Sequence, residues 1–307
     1  MNCAESAFSP SSGYFRQRKM TPDFTLQSIQ TDDISAVESA ITDIGKACFP
    51  DQKLSRIRNL MKEVEELYAG NIHPYQASDM AYHDLEHTLQ VTLCWARMFT
   101  SLKEHKPEYP VVYADFLLGI AACLLHDTGY LKETDDPSGT GAKYVLIHEH
   151  RSCQISRRFL MRMNWPDTAI SVAQRLIAST GPRAVIDGIP FISPTEKTLA
   201  QMLATADFLA QMADPMYVDK LPALFKEFEE FDRLRGLSQT ERPFPNLDTL
   251  VSSTPKFWYQ FVLPRLKVDY AGVYRLLNQP YPDGPNIYLQ QAEANIESLQ
   301  PQPEEES

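Results

Sequence analysis

The stretch VVYADFLLGIAACLLHD, residues 111–127, is apolar on nearly every side when it is drawn as a helix. A helix that is apolar all round is buried, so the stretch predicts the central helix of an all-α fold. It closes on His126 and Asp127, shortly before Gly129, a residue typical of helix C-caps. A buried carboxylate must be paired, hydrogen-bonded or bound to metal. Asp127 is therefore the first candidate site residue.

Helical periodicity extends over most of the chain, and no run of alternating β-branched residues interrupts it. The spacing of apolar residues predicts helices over residues 31–47, 52–69, 84–102, 111–127, 149–163, 167–179, 195–213, 218–235, 255–276 and 286–299. The sequence thus predicts an all-α fold, a compact helical bundle.

The two ends of the chain have a different composition. Residues 1–23 are rich in Ser, Pro and Gly, and the end LQPQPEEES is rich in Pro and Glu. Such composition is typical of disordered tails, so we expect tails at 1–23 and 300–307 around a single domain at 24–299. Within that domain, residues 132–143 and 179–194 form long connections, and connections of this length tend to be functional or mobile.

The composition excludes several classes of partner. Of the 307 residues, 43% are hydrophobic and 22% charged, as in ordinary globular proteins. No apolar run reaches about 18 residues, and the first residues lack the apolar core of a secretory signal, so we expect no membrane partner and a cytoplasmic location. The net charge of −11 disfavours duplex nucleic acid. A small anionic substrate stays open, because a bound divalent cation can reverse the local field.

Histidines and acids occupy positions that should be apolar. Stepping by three and four residues along the third predicted helix gives one face, made of His83, His87, Val91, Cys94, Trp95 and Met98. Asp207 is similarly surrounded by Leu and Ala in LAQMLATADFLAQMA. One buried histidine is usually a hydrogen-bonded core residue, and one buried acid suggests a salt bridge. Two acids with two or three histidines predict convergence on one metal centre.

The mixed imidazole and carboxylate ligands restrict the metal. They suit a borderline or harder divalent ion, so we expect one or two ions of Mn, Mg, Fe, Zn or Co. Such an ion turns its bound water into a hydroxide nucleophile and neutralises the charge of a phosphoryl group. Two ions bridged by Asp127 would clamp both the attacking and the leaving oxygen.

The motifs YHDLEH, LLHDTG and ATAD follow one another in the order His87, then His126 with Asp127, then Asp207. This order resembles the H…HD…D pattern of the HD-domain metal-dependent phosphohydrolase superfamily, and LIHEHRSCQISRRFL is similar to a helix of many members. The resemblance covers about residues 80–215 and implies an HD-domain-like bundle with the metal site in its core. The C-terminal helices, about 216–299, would complete the domain.

Within the superfamily, YHDLEH is similar to the motif of the cyclic-nucleotide phosphodiesterase branch. That resemblance implies that His83 is the general acid that protonates the leaving oxygen. It also implies that His87, His126, Asp127 and Asp207 hold the first metal, with Asp127 bridging to a second.

Several further residues are candidates. His148 and Glu149 could serve a second metal or support the ligands, or could simply begin a helix, where an acid is favourable. Arg151 is a candidate phosphate contact because guanidinium binds phosphate in a bidentate manner, or a solvated first-turn residue. Tyr130 replaces a histidine common in the superfamily. TPKFWYQFVLP is similar to the segment that clamps a nucleobase, which would place Phe257 in the clamp and Thr254 where glutamine belongs.

We therefore expect a metal-dependent phosphohydrolase that cleaves a phosphoester, preferably a phosphodiester, of a nucleotide or related small phosphate. Two alternatives share the same ligands. One is a regulatory module that binds metal or nucleotide without turnover. The other is a different metal-dependent chemistry on the same fold, such as that of a di-iron oxygenase.

Overall fold

The structure is a computed structural model that describes residue 26 and residues 29–300. Among these residues there are helices and turns but no strand, and a single isolated bridge joins Tyr75 to Glu133. The predicted all-α fold is confirmed. The expected tails at 1–23 and 300–307 lie outside the described residues except for Gln300. No helix of the described chain is long and apolar enough to cross a membrane.

The α-helices are α1 (Ile34–Cys48), α2 (Ser55–Tyr68), α3 (Leu85–His105), α4 (Tyr113–Leu125), α5 (His148–Arg162), α6 (Asp167–Ile177), α7 (Pro194–Met212), α8 (Tyr217–Leu234), α9 (Leu247–Phe257), α10 (Leu263–Lys267) and α11 (Ile287–Ser298). Short 3₁₀ turns lie between some of them, at Thr128–Tyr130, Gly141–Tyr144, Ile186–Gly188, Gln239–Glu241 and Val273–Leu277.

Helix α4 is the central helix, as its apolar sequence predicts. It contacts α2, α3, α5, α6 and α7, and nine of its last ten residues are buried. Its helical bonds end at Leu125, two residues earlier than predicted. His126 is the C-cap and Asp127 leads into the 3₁₀ turn. The two site residues therefore follow the helix, at the end of its buried axis.

The role predicted for Gly129 is wrong. The residue lies inside the 3₁₀ turn and does not have the positive φ of a C-cap glycine. It is needed for a close approach: a Cβ there would lie 1.9 Å from the carbonyl oxygen of His148. The Gly129 N–H also donates to the Ser152 hydroxyl at 2.8 Å. The absence of a side chain lets the start of α5 approach the turn that carries Asp127.

The helix predicted over 255–276 is not continuous. Helix α9 begins earlier, at Leu247, where the Asn246 side chain caps it by accepting from the Thr249 N–H. A π turn at Trp258–Val262 then separates α9 from α10. Pro264 accounts for this break, because proline has no N–H and its ring clashes with the preceding turn of a regular helix.

Contact between α3 and α4 depends on Gly119. A Cβ at this position would lie 1.9 Å from the ring of Trp95, which is fully buried. The indole cannot move away freely, because its N–H donates to the Leu199 carbonyl of α7 at 3.2 Å.

We expect Gly119→Ala to lower the free energy of unfolding by about 1–3 kcal/mol, because the added methyl overpacks the core. Urea denaturation measures the change. Gly188→Ala is the matched control: its nearest neighbour would be 4.0 Å away, and we expect a change within about 0.5 kcal/mol. Equal stability of the two variants would contradict the packing described for α3 and α4.

Candidate metal centre

Three helices bring four site residues together. His87 lies in the first turn of α3, where Asp84 caps the helix by accepting from the His87 N–H at 3.0 Å. His126 follows the end of α4, and Asp207 lies in the buried middle of α7. Since α3 packs against both α4 and α7, the first turn of α3 meets the end of α4 and the side of α7.

The distances between the side chains suit one small cation. The Nε2 atoms of His87 and His126 each lie 3.4 Å from Asp127 Oδ2 and 3.4 Å from Asp207 Oδ1. Ligand bonds of about 2.1 Å would place neighbouring ligand atoms roughly 3.0–3.4 Å apart. His87, His126 and Asp127 form a buried group that could hold a metal ion. Asp207 is not part of this group, although its Oδ1 lies 3.4 Å from both imidazoles.

The hydrogen bonds leave the same atoms free for a metal. His126 Nδ1 bonds the Cys123 carbonyl at 2.7 Å, so a cation would bind at Nε2 in place of the proton there. His126 Nε2, Asp127 Oδ2 and both ring nitrogens of His87 are buried without a hydrogen-bond partner among the described residues. Buried polar atoms rarely remain unsatisfied. The donor set fits a divalent cation of the kind predicted.

The electrostatics keep the acids ionised. Burial would raise the pKa of Asp127, but the neighbouring imidazoles of His126 and His87 outweigh it and lower the pKa. The same competition holds the pKa of Asp207 well below its usual range. Asp207 Oδ2 also accepts from the Gly181 N–H at 3.3 Å. Both carboxylates are therefore in the anionic form that binds metal.

His83 lies beside the centre and forms an ion pair that the sequence did not reveal. Its Nδ1 is 2.7 Å from Glu227 Oε2 of α8. The other oxygen of Glu227 accepts from the N–H groups of Ala81 at 3.0 Å and Tyr82 at 2.7 Å. Burial lowers the pKa of His83, but the charge and hydrogen bond of Glu227 outweigh it and raise the pKa to about 9. Glu227 thus positions His83 and keeps it protonated.

Tyr130 and His148 extend the site on the other side. The Tyr130 ring stacks between His83, at 4.8 Å between centroids, and His148, at 4.4 Å. His148 Nδ1 bonds the Val145 carbonyl at 2.9 Å, and its Nε2 is 3.7 Å from Asp127 Oδ1. Glu149 lies 3.6 Å from the same His148 ring. His148 therefore faces the second oxygen of Asp127, whereas Glu149 contacts the other ring nitrogen of His148.

Arg151, a candidate phosphate contact or solvated first-turn residue, binds backbone carbonyls. Its Nε and Nη2 donate to the carbonyl oxygens of Gly129 and Leu131, both at 2.8 Å, and its guanidinium lies over the Tyr144 ring. It is not among the residues that line the cavity described below. Its donors brace the 3₁₀ turn after Asp127, so its role is to position that turn.

A cavity of about 320 Å³ opens onto the centre. Asp127, Asp207, His83 and His148 line its polar end, and Tyr130 lies beside them. Phe257, the expected base clamp, also lines the cavity; it is partly exposed and stacks on Phe261 at 5.0 Å. Of the two long connections, residues 179–194 contribute Gly181 and Pro182, and residues 132–143 contribute none of the described lining.

Comparison with known proteins gives a partial match. The model of the Npun_R2479-like family matches residues 192–275. The matched segment includes Asp207, Glu227 and Phe257 and is about a quarter of the chain. No curated protein matches. This chain is therefore similar to the Npun_R2479-like family over α7 to the turn after α10, the part that supplies Asp207 and one wall of the cavity.

Proposed function

We propose that the protein is a metal-dependent phosphohydrolase that cleaves a phosphodiester of a small molecule. The carrying observation is a set of buried atoms without hydrogen-bond partners among the described residues: both ring nitrogens of His87, His126 Nε2 and Asp127 Oδ2. Asp127 also lines the polar end of the cavity. We assign His87, His126, Asp127 and Asp207 as the ligands. When bound, a divalent cation acidifies a coordinated water and neutralises charge on the phosphoryl group.

The remaining residues of the site supply proton transfer and position. His83 lines the same cavity as Asp127 and lies just before the N-cap of α3, with 5.9 Å between its ring and that of His87. We assign it to donate a proton from Nε2 to the leaving oxygen, since Glu227 occupies its Nδ1. Tyr130 stacks on the ring and limits its rotation. The second oxygen of Asp127, facing His148, is the place where a second cation would share the carboxylate.

Hydrolysis assays test this proposal. Protein stripped of metal by chelation is supplied with Mn, Mg, Zn, Co or Fe and offered cyclic nucleotides, artificial phosphodiesters and phosphomonoesters. We expect turnover only when a cation is added, and faster turnover of diesters than of monoesters. Stoichiometric binding of a cation without turnover of any substrate would contradict the enzymatic function and favour a binding module.

A further inference from the structure

One wall of the cavity is apolar. Helices α8 and α9 and the loop between them contribute Tyr217, Leu224, Phe228, Phe244, Leu250 and Phe257 to the lining. Phe228 and Phe244 lie against each other with 5.5 Å between their rings. The acids and imidazoles of the metal centre come from other parts of the chain, so the cavity has one ionic end and one apolar wall.

Most polar groups near that wall are already engaged as donors; the exception is the Tyr217 hydroxyl, which has no hydrogen-bond partner among the described residues. The Ser253 and Thr254 hydroxyls donate to carbonyl oxygens of their own helix, at 2.6 and 2.9 Å. The Gln211 side chain donates to the Asp207 carbonyl and accepts from the Tyr82 hydroxyl, both at 2.8 Å. A ligand group with several buried polar atoms would find few free partners here. Leaving such atoms unpaired is costly.

The cavity also lacks fixed cations beyond its histidines. Among the described lining residues there is no lysine or arginine. The nearby Arg151 bonds backbone carbonyls instead. A substrate with additional phosphates would therefore place them against apolar or acidic surface. A single negative charge matches the site better.

We propose, on the basis of the proposed function, that the substrate is a monoanionic phosphodiester with an apolar or aromatic organic group against the α8–α9 wall. Such a group gains by leaving water, since about 25 cal/mol is gained per Å² of apolar surface buried. A nucleobase has the same flat shape, but its hydrogen-bonding edge would lose water and find few partners. The cavity thus selects against nucleotides.

This preference for an apolar group over a nucleoside can be tested with three diesters that all release p-nitrophenolate. They carry methyl, phenyl or thymidin-5′-yl as the second ester group, so charge and leaving group are constant. We expect kcat/KM for the phenyl ester to exceed that for the methyl ester by about tenfold or more, and the thymidinyl ester to gain nothing over methyl. A thymidinyl ester that surpasses the phenyl ester would overturn the inference.

Two variants locate the effect. Phe244→Ala should bring the phenyl-to-methyl ratio of kcat/KM down toward one, because Phe244 is part of the wall. Phe231→Ala is the matched control, a partly buried α8 aromatic outside the cavity lining, and should keep the ratio. An unchanged ratio in Phe244→Ala would contradict the assigned wall. If no ester turns over with any cation, the proposed function itself fails, which is a different result.

Discussion

Replacing Asp127 by asparagine is expected to weaken binding of the divalent cation by more than about 100-fold, since altering a residue that only supports a ligand already costs 10–100-fold. Metal-dependent turnover should fall at least as far. The amide keeps the size of the side chain but cannot supply the anionic oxygen that lies 3.4 Å from both His87 and His126. Calorimetric titration with Mn or Zn, beside kcat/KM at saturating cation, measures both effects.

Asp214→Asn is the matched control for this variant. Asp214 is also a buried acid next to α7, but it bonds Lys220 at 2.6 Å and Gln90 at 2.9 Å, away from the cavity. Its replacement should reduce stability and leave the cation affinity of the folded protein intact. If both variants bind metal as the natural chain does, Asp127 is not a ligand.

His83→Gln is expected to lower kcat/KM by about 10² to 10⁴ for a diester that releases an alcohol, while cation affinity stays within a few-fold. A diester that releases p-nitrophenolate should lose much less, because that group departs without a proton. The comparison separates a proton donor from a residue that only shapes the cavity. If His83 only shapes the cavity, the variant should lower kcat/KM equally for both diesters.

Glu227→Gln tests the pH dependence of the same group. The raised pKa of His83, about 9, keeps the acid form populated well above its ordinary value of 6.5, so the rate should fall only at alkaline pH. A bound cation disfavours the protonated imidazole, so the pH at which the rate falls should lie below 9. Without the Glu227 charge the pH at which the rate falls should decrease further, because only the more weakly acting Asp127 and Asp207 then oppose the effect of burial on the ring. If the rate falls at the same pH in both proteins, the ion pair between His83 and Glu227 is not the cause of that pH dependence.

The sequence predicted the parts of the site that depend on burial. A buried apolar helix that is followed directly by His126 and Asp127 places both residues at the core. Asp207 stands out because its neighbours in the helix are Leu and Ala. Those anomalies are visible without coordinates, since a buried charge requires a partner. His87 follows from the spacing of one helical face, but the prediction that His83 shares this face is wrong, because the helix begins only after its N-cap Asp84.

Other parts depend on contacts between distant segments and could not be predicted from local pattern. Glu227 belongs to an acidic stretch of α8 with Glu229 and Glu230, and nothing in its spacing marks it as the partner of a histidine 144 residues away. Arg151 was a candidate phosphate contact from its chemistry alone, with a solvated first-turn residue as the alternative. The turn after Asp127 exposes two carbonyl oxygens that bind it instead.

An anomalous-difference map from crystals grown with Mn²⁺ tests the central claim most directly. We predict a strong peak within bonding distance of His87 Nε2, His126 Nε2, Asp127 Oδ2 and Asp207 Oδ1, atoms whose imidazole-to-carboxylate separations are all 3.4 Å. A map without a peak there, from protein that retains this arrangement, would mean that the cluster is a buried ion-pair network and not a metal centre.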